Sequence, residues 1–167
     1  MLRRMEPSAE PLELPAEYGK VTTVLRWPTI RAFLERAERY WIATTRSDGR
    51  PHVVPVDGIW LDDRWYFGGS EHAIHQRTVA ANPNVVMHLE DAMKAVIVEG
   101  QVRQTKPSSA VAKRLVAASR EKYGYAPSVS SYQKGVPTLM PNRVLAWTAF
   151  PKDATRFRFN PWTKRVR

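Results

Sequence analysis

The sequence predicts a mainly β fold: an antiparallel barrel, closed or partly closed, with about three helices around it. Three observations carry this expectation. Short runs rich in β-branched and aromatic residues recur about six times. Tight turn signals such as Ser47-Asp48-Gly49 and Asp62-Asp63 separate several of them, and parallel pairing would need far longer crossovers. Between the runs, three stretches switch to helical periodicity.

The elements follow in order. Residues 1–24 are rich in proline with little periodicity and read as an extended arm or loose tail; residues 25–167 are expected to form one domain. Ile30, Phe33, Leu34 and Ala37 then repeat at helical spacing, after Pro28 and with Thr29 as candidate cap. Three strands are expected next, over Tyr40–Thr45, Pro51–Trp60 and Arg64–Phe67. Pro55 removes one ladder hydrogen bond from the second, so that strand is expected at an edge, at a bulge, or where something other than a strand approaches. AIHQRTVAA reads as a helix ended by Asn82-Pro83. VVMHLED and AVIVEGQVRQT read as two further strands. PSSAVAKRLVAASREKYG reads as a helix with Pro107 in its first turn and Gly124 at its end. The stretch from Tyr125 to Asn142 has loop composition, RVLAWTAF reads as a strand, and DATRFRFNPW adds a short one.

Composition narrows the function classes. There is no cysteine, which removes disulfides, thiolate metal sites and cysteine nucleophiles, and suits a cytoplasmic protein. No apolar run approaches the roughly 18 residues of a membrane span, and the polar, proline-rich start carries no signal-peptide pattern. The net charge is +10, with 26 Lys+Arg against 16 Asp+Glu. Such a balance favours anionic partners. The charge is scattered, with arginines at 3, 4, 26, 31, 36 and 39 and basic residues at 164, 165 and 167, and no recognisable nucleic-acid motif accompanies it, so neither nucleic acid nor membrane is the expected partner.

One stretch concentrates chemistry: GGSEHAIHQR, residues 68–77. His72 and His75 are three apart beside Glu71, but that pattern straddles a turn-to-helix boundary and no metal site is expected. No Gly-x-Ser-x-Gly elbow is present, and no catalytic residue is assigned. Two readings stay open. Gly68, Gly69 and Ser70 end a strand and open onto a helix, where glycines admit close approach of a ligand to the backbone and free N–H groups favour an anion. Arg77 would then fork onto phosphate oxygens and a protonated His75 would assist. The alternative is a plain strand–turn–helix with a solvated arginine.

The order YWIATTRSDGRPHVVPV, WYFGG, HQRTVAANPNVVMHLED, VIVEGQV resembles the pyridoxamine-phosphate-oxidase-like flavin and deazaflavin oxidoreductases over about residues 25–105. The resemblance implies a split antiparallel β-barrel, usually a homodimer, with FMN or coenzyme F420 at the subunit interface and a small-molecule substrate beside it. It matches the strand His52, Val53, Val54, Pro55, Val56 to the one lying along the tricyclic ring. It matches Gly68, Gly69 and Ser70 to the strand end that meets the ribityl phosphate, and His75, Gln76 and Arg77 to the start of the phosphate helix. The family often shows Ser-Thr where this chain has Gly68-Gly69, and Arg-Lys where it has Ile74-His75. The resemblance implies hydride transfer, with Trp60, Tyr66 and Trp147 as candidate walls of the ring pocket against a core-packing role. Tyr125 and Tyr132 are candidates for a lid. True pyridoxamine phosphate oxidation is not expected, since the arginines for that substrate's phosphate are not found. Against the enzyme stands a non-catalytic split-barrel ligand-binding protein that has lost tight cofactor binding.

Overall fold

The computed structural model describes residues 6–160; the basic residues at 3, 4, 164, 165 and 167 lie outside them. Nine strands run β1 (Ser8–Pro11), β2 (Tyr40–Thr45), β3 (Pro51–Val56), β4 (Gly58–Leu61), β5 (Arg64–Phe67), β6 (Asn84–His88), β7 (Val96–Thr105), β8 (Val136–Ala146) and β9 (Thr155–Arg158). Four α-helices accompany them: α1 (Trp27–Arg36), α2 (Ile74–Ala81), α3 (Ser109–Tyr123) and α4 (Val129–Lys134).

Every strand pairing is antiparallel. The ladder runs β1-β9-β8-β7-β6-β2-β3, with β5 added to β8 and β4 to β5. Following it from β3 through β2, β6, β7, β8 and β5 leads to β4, the strand next to β3 in sequence. β3 and β4 are separated only by Asp57, yet they do not pair. The barrel is therefore open along one seam, and the single run expected over 51–60 is two strands that turn a corner there. β3 pairs with β2 alone, so Pro55 sits on an edge strand, where a missing N–H is tolerated.

Burial along β2 and β3 alternates. Tyr40, Ile42 and Val56 are buried against the core, and Val54 packs on it. Trp41, Ala43, Val53 and Pro55 occupy the alternate positions, and Val53 is 46% exposed. The core inside is aromatic: Trp65 and Phe67 stack at 4.4 Å, and Tyr40 packs on Trp65 at 5.2 Å. Each large side chain buried this way contributes roughly 1.5–3 kcal/mol.

Three local expectations are corrected. Trp27 and Pro28 lie inside the first turn of α1, with Arg26 at the cap and no side chain capping it; proline suits that turn because its missing N–H has no helical partner. Thr29 is thus a helix residue, not the cap. The stretch from Tyr125 to Asn142 is not all loop: it holds α4, capped by Ser128, and the first half of β8. The N-terminal arm contributes the extended β1, which pairs with β9, and Glu10 bridges Arg156 and Arg158. Gly124 ends α3 in the left-handed conformation as expected, while Ser108 rather than Pro107 forms its start. No helix of the described residues is long and apolar enough to cross a membrane.

Candidate functional site

The β2–β3 hairpin is closed by Asp48 and Gly49. Gly49 has φ +85°, a region that favours glycine, and donates to the Arg46 carbonyl at 2.9 Å. The Asp48 carboxylate accepts from the Arg50 backbone at 3.1 Å and from its guanidinium at 2.9 and 2.7 Å. The turn thus presents Arg46 and Arg50 on either side of one acid. Arg46 Nη2 lies 3.4 Å from His52 Nδ1.

α2 packs against both β2 and β3. Ala73 precedes its first turn with no capping side chain, and the Ala73 amide donates to the Ser70 carbonyl at 2.9 Å. Ser70 is exposed and its Oγ accepts from the His72 amide at 3.2 Å. Ile74, Arg77, Thr78 and Ala81 share one helix face, and that face with the hairpin turn encloses an open groove of about 570 Å³. Arg46, Arg50 and Arg77 line it, with Asp48 as its acid and Thr45, Ser47 and Asn82 adding polar atoms. The size falls within the roughly 300–1,000 Å³ usual for ligand sites.

The N-terminal end of α2 meets the glycine pair. Gln76 Nε2 donates to the Gly68 carbonyl at 3.0 Å, and His75 Nε2 lies 3.5 Å from the same oxygen. Gly69 has φ +135°, and a Cβ there would come within 2.7 Å of His75 Nε2. A Cβ on Gly68 would meet nothing within 4 Å, so its backbone is bare on that side. His75 is only 7% exposed and packs 6.4 Å from the Phe67 ring. Burial holds its pKa below the ordinary imidazole value; a bond to the Gly68 carbonyl opposes that, and nearby His52 adds to it. His72, by contrast, is 88% exposed beside Glu71.

The structure therefore brings His52, Gly68, Gly69, His75 and Gln76 into one corner. Arg77 lies around the helix from it, in the groove with Arg46 and Arg50, two cations that the sequence reading passed over. The signal was present as Arg-Ser-Asp-Gly-Arg, two arginines flanking a tight turn. Val54 and Val56 serve core packing, and Pro55 lies three residues beyond His52 along β3, roughly 10 Å at strand spacing. Of the candidate ring walls, Trp60 is core and Trp147 packs edge-on against Phe150. Tyr66 joins Tyr123, Tyr125 and Tyr132 around a cavity of about 90 Å³ that Gly68 and Asp57 also line.

An antiparallel barrel open along one seam defines the class of split β-barrels. The family model for pyridoxamine 5'-phosphate oxidase matches residues 27–150, and the chain belongs to that family. No curated protein matches it. Among solved structures it is similar to the FAD binding protein from Mycobacterium smegmatis, at 19% identity and TM-score 0.52 over 83% of this chain and 100% of that one. It is similar to an F420 reductase at 23% identity and TM-score 0.51, over 68% and 94% of the two chains. It is also similar to the heme storage protein HutZ from Vibrio cholerae, at 20% identity and TM-score 0.52 over 69% and 89%. At these identities the likeness is one of fold.

Proposed function

We propose that this chain is an oxidoreductase that binds coenzyme F420 or FMN between two copies of itself and passes a hydride between that cofactor and a small molecule. The observation that carries the reading is the convergence of Arg46, Arg50 and Arg77 on one groove between α2 and the hairpin turn. Three guanidiniums against one committed carboxylate leave net positive charge where a phosphate or an acidic tail would lie. The Gly68 backbone admits a ligand that a side chain would block.

The residues fit such a group in part. Arg46, Arg50 and Arg77 would hold the anionic end, the α2 amides would add donors, and the strand from His52 to Val56 would run beside the ring. The cofactor, when bound, supplies the hydride chemistry. The chain's part is to bind, orient and shield. Tyr66, Tyr123, Tyr125 and Tyr132 line a small cavity beside Gly68. The half-buried and exposed side chains Trp41, Ala43, Val53 and Val86 on the outer face of β2, β3 and β6 form the subunit interface. An acidic deazaflavin tail uses all three arginines of a long groove, whereas FMN has one phosphate, which favours F420 as the cofactor. The neighbours named for FAD and F420 support a flavin-type ligand.

The reading is tested by titrating FMN and F420 separately and following ligand fluorescence and absorbance, then assaying reduced cofactor with quinones, dyes and enones. Saturable binding and turnover are expected. Absence of binding for both at about 100 µM, weaker than about 5.5 kcal/mol, overturns it. A second reading is a non-catalytic ligand carrier. Its specific support is the thinned corner, with glycines at 68 and 69 and a buried imidazole at 75 in place of fixed cations. Tight binding of an unrelated ligand without turnover would favour it.

A further inference from the structure

The cavity beside Gly68 holds one polar group that nothing in the protein satisfies. It lies between the segment from α3 to α4 on one side and β4 with β5 on the other, and its volume is about 90 Å³. Several of the polar groups around it are already committed. The Tyr123 hydroxyl accepts from the Gly58 amide at 3.0 Å and donates to the Glu38 carbonyl at 2.7 Å. Tyr125 donates to Asp57 Oδ2 at 3.3 Å, and the other oxygen of that carboxylate meets Arg39 at 3.0 Å. Ser119 donates to the Tyr125 carbonyl at 3.0 Å.

Tyr66 is different. It lines the same cavity and is only 4% exposed, yet its hydroxyl has no hydrogen-bond partner among the described residues. A buried phenol normally finds one, because losing its water without replacement is unfavourable. At roughly 30 Å³ per water the space holds about three waters. A cavity that takes benzene is nearer 150 Å³, so this one suits the oxygen-bearing end of a molecule and not a whole six-membered ring.

Charge decides which kind of oxygen fits. Among the described residues no lysine, arginine or histidine lines the cavity, and the Asp57 carboxylate is on its wall. Burial pushes the Tyr123 and Tyr132 hydroxyls above the ordinary phenol value, so both stay protonated at neutral pH. An anion would meet a like charge and no lining cation. A neutral carbonyl oxygen would meet a free O–H donor.

We propose that this cavity binds the carbonyl end of a small neutral molecule, with the Tyr66 hydroxyl donating to its oxygen. The role of that molecule as the substrate rests on the oxidoreductase reading, and the inference gives that substrate a class: neutral ketones, enones or quinones, as opposed to carboxylates and phosphates. The arginine groove takes charge, and the tyrosine cavity refuses it.

The full chain labelled with fluorotyrosine tests this without any cofactor. Its fluorine NMR signals are followed against acetone, acetamide and acetate, probes of equal size of which only acetate is charged. Tyr66→Phe identifies the Tyr66 signal by removing it. Acetone and acetamide are expected to shift that signal saturably below about 0.5 M, and acetate to bind at least about tenfold more weakly. In Tyr66→Phe, acetone is expected to bind about tenfold more weakly, read at the Tyr132 signal, as the loss of one neutral hydrogen bond implies. The variant gives up no bond of the ligand-free protein, so its urea midpoint is expected to match the parent's. The comparison of probes on the parent chain decides the matter even should the variant fail to fold. A Tyr66 signal that acetone and acetamide leave unmoved means that water alone fills the cavity, and overturns the proposal. Acetate binding as tightly as acetone overturns it too. A response to acetone in a chain that binds neither FMN nor F420 leaves the cavity standing and removes the oxidoreductase reading. Cofactor binding and turnover with Tyr66 unmoved does the reverse.

Discussion

Gly69 and His75 fit each other to the exclusion of a methyl group: a Cβ on the glycine would come within 2.7 Å of the ring nitrogen Nε2. The same glycine has φ +135°, where side chains are strained in any surroundings. Gly69→Ala is therefore expected to destabilise the fold by about 1–3 kcal/mol, measured by urea unfolding. A loss under about 0.5 kcal/mol would mean that the turn relaxes freely.

Gly68 makes the contrasting case. A Cβ there meets open space, so Gly68→Ala is expected to leave stability within about 0.5 kcal/mol of the parent. Ligand binding should nonetheless weaken, because the methyl occupies the bare side of the backbone. Parallel unfolding and cofactor titrations separate the two effects, and unchanged affinity would place the ligand elsewhere.

Arg77 is exposed on the groove face of α2. Its removal as Arg77→Ala should barely change the melting temperature, while the dissociation constant for F420 or FMN rises about 10–100-fold, equivalent to roughly 1.4–2.8 kcal/mol. Arg46→Ala and Arg50→Ala are expected to act in the same direction. Equal affinity across all three variants would show that the groove does not hold the anionic end.

The lowered pKa of His75 also fixes the sign of a stability effect in the ligand-free protein. Above the ordinary imidazole pKa near 6.5 both folded and unfolded chains hold it neutral. Below that value the unfolded chain takes up a proton that the folded chain resists, so stability falls with acidification from about pH 6.5 down through the folded-state pKa. Urea midpoints across this range should decline, and His75→Gln should shallow the decline. A parent and variant that run parallel would remove His75 as the cause.

Val53 projects from the outer face of β3 with 46% of its surface exposed, opposite Ala43 in register. Val53→Glu is expected to convert the proposed dimer into a monomer by light scattering with the fold intact, since a charge buried at an apolar interface is strongly unfavourable. A variant that remains dimeric would place the interface on another surface.

Much of this architecture is legible in the residues. The turns at Ser47-Asp48-Gly49 and Asp62-Asp63 announce hairpins because their backbone demands are local; both aspartates of the second turn have φ near +55°. Pro55 announces an edge for an equally local reason. What escaped detection is decided at a distance. Pro137 and Pro141 make the start of β8 look like loop, yet Pro141 stands opposite Gly100 at the bulge after Glu99, where a lost N–H matters least. β1 is readable only once β9 is in place. At the site, the glycine turn and Arg77 stand out as a compact motif. Arg46 and Arg50 become partners of Arg77 only because α2 packs across β2 and β3, a relation that no spacing along the chain encodes.

The pairing of β1 with β9 has a consequence for how the protein is made. Glu10 meets Arg158 across 148 positions of chain, so β1 can dock only after β9 has been added to β8. Until then β1 is an unmatched ribbon while β2 to β8 pair among themselves, and this edge of the sheet is closed by a contact of very long span, the kind that forms slowly.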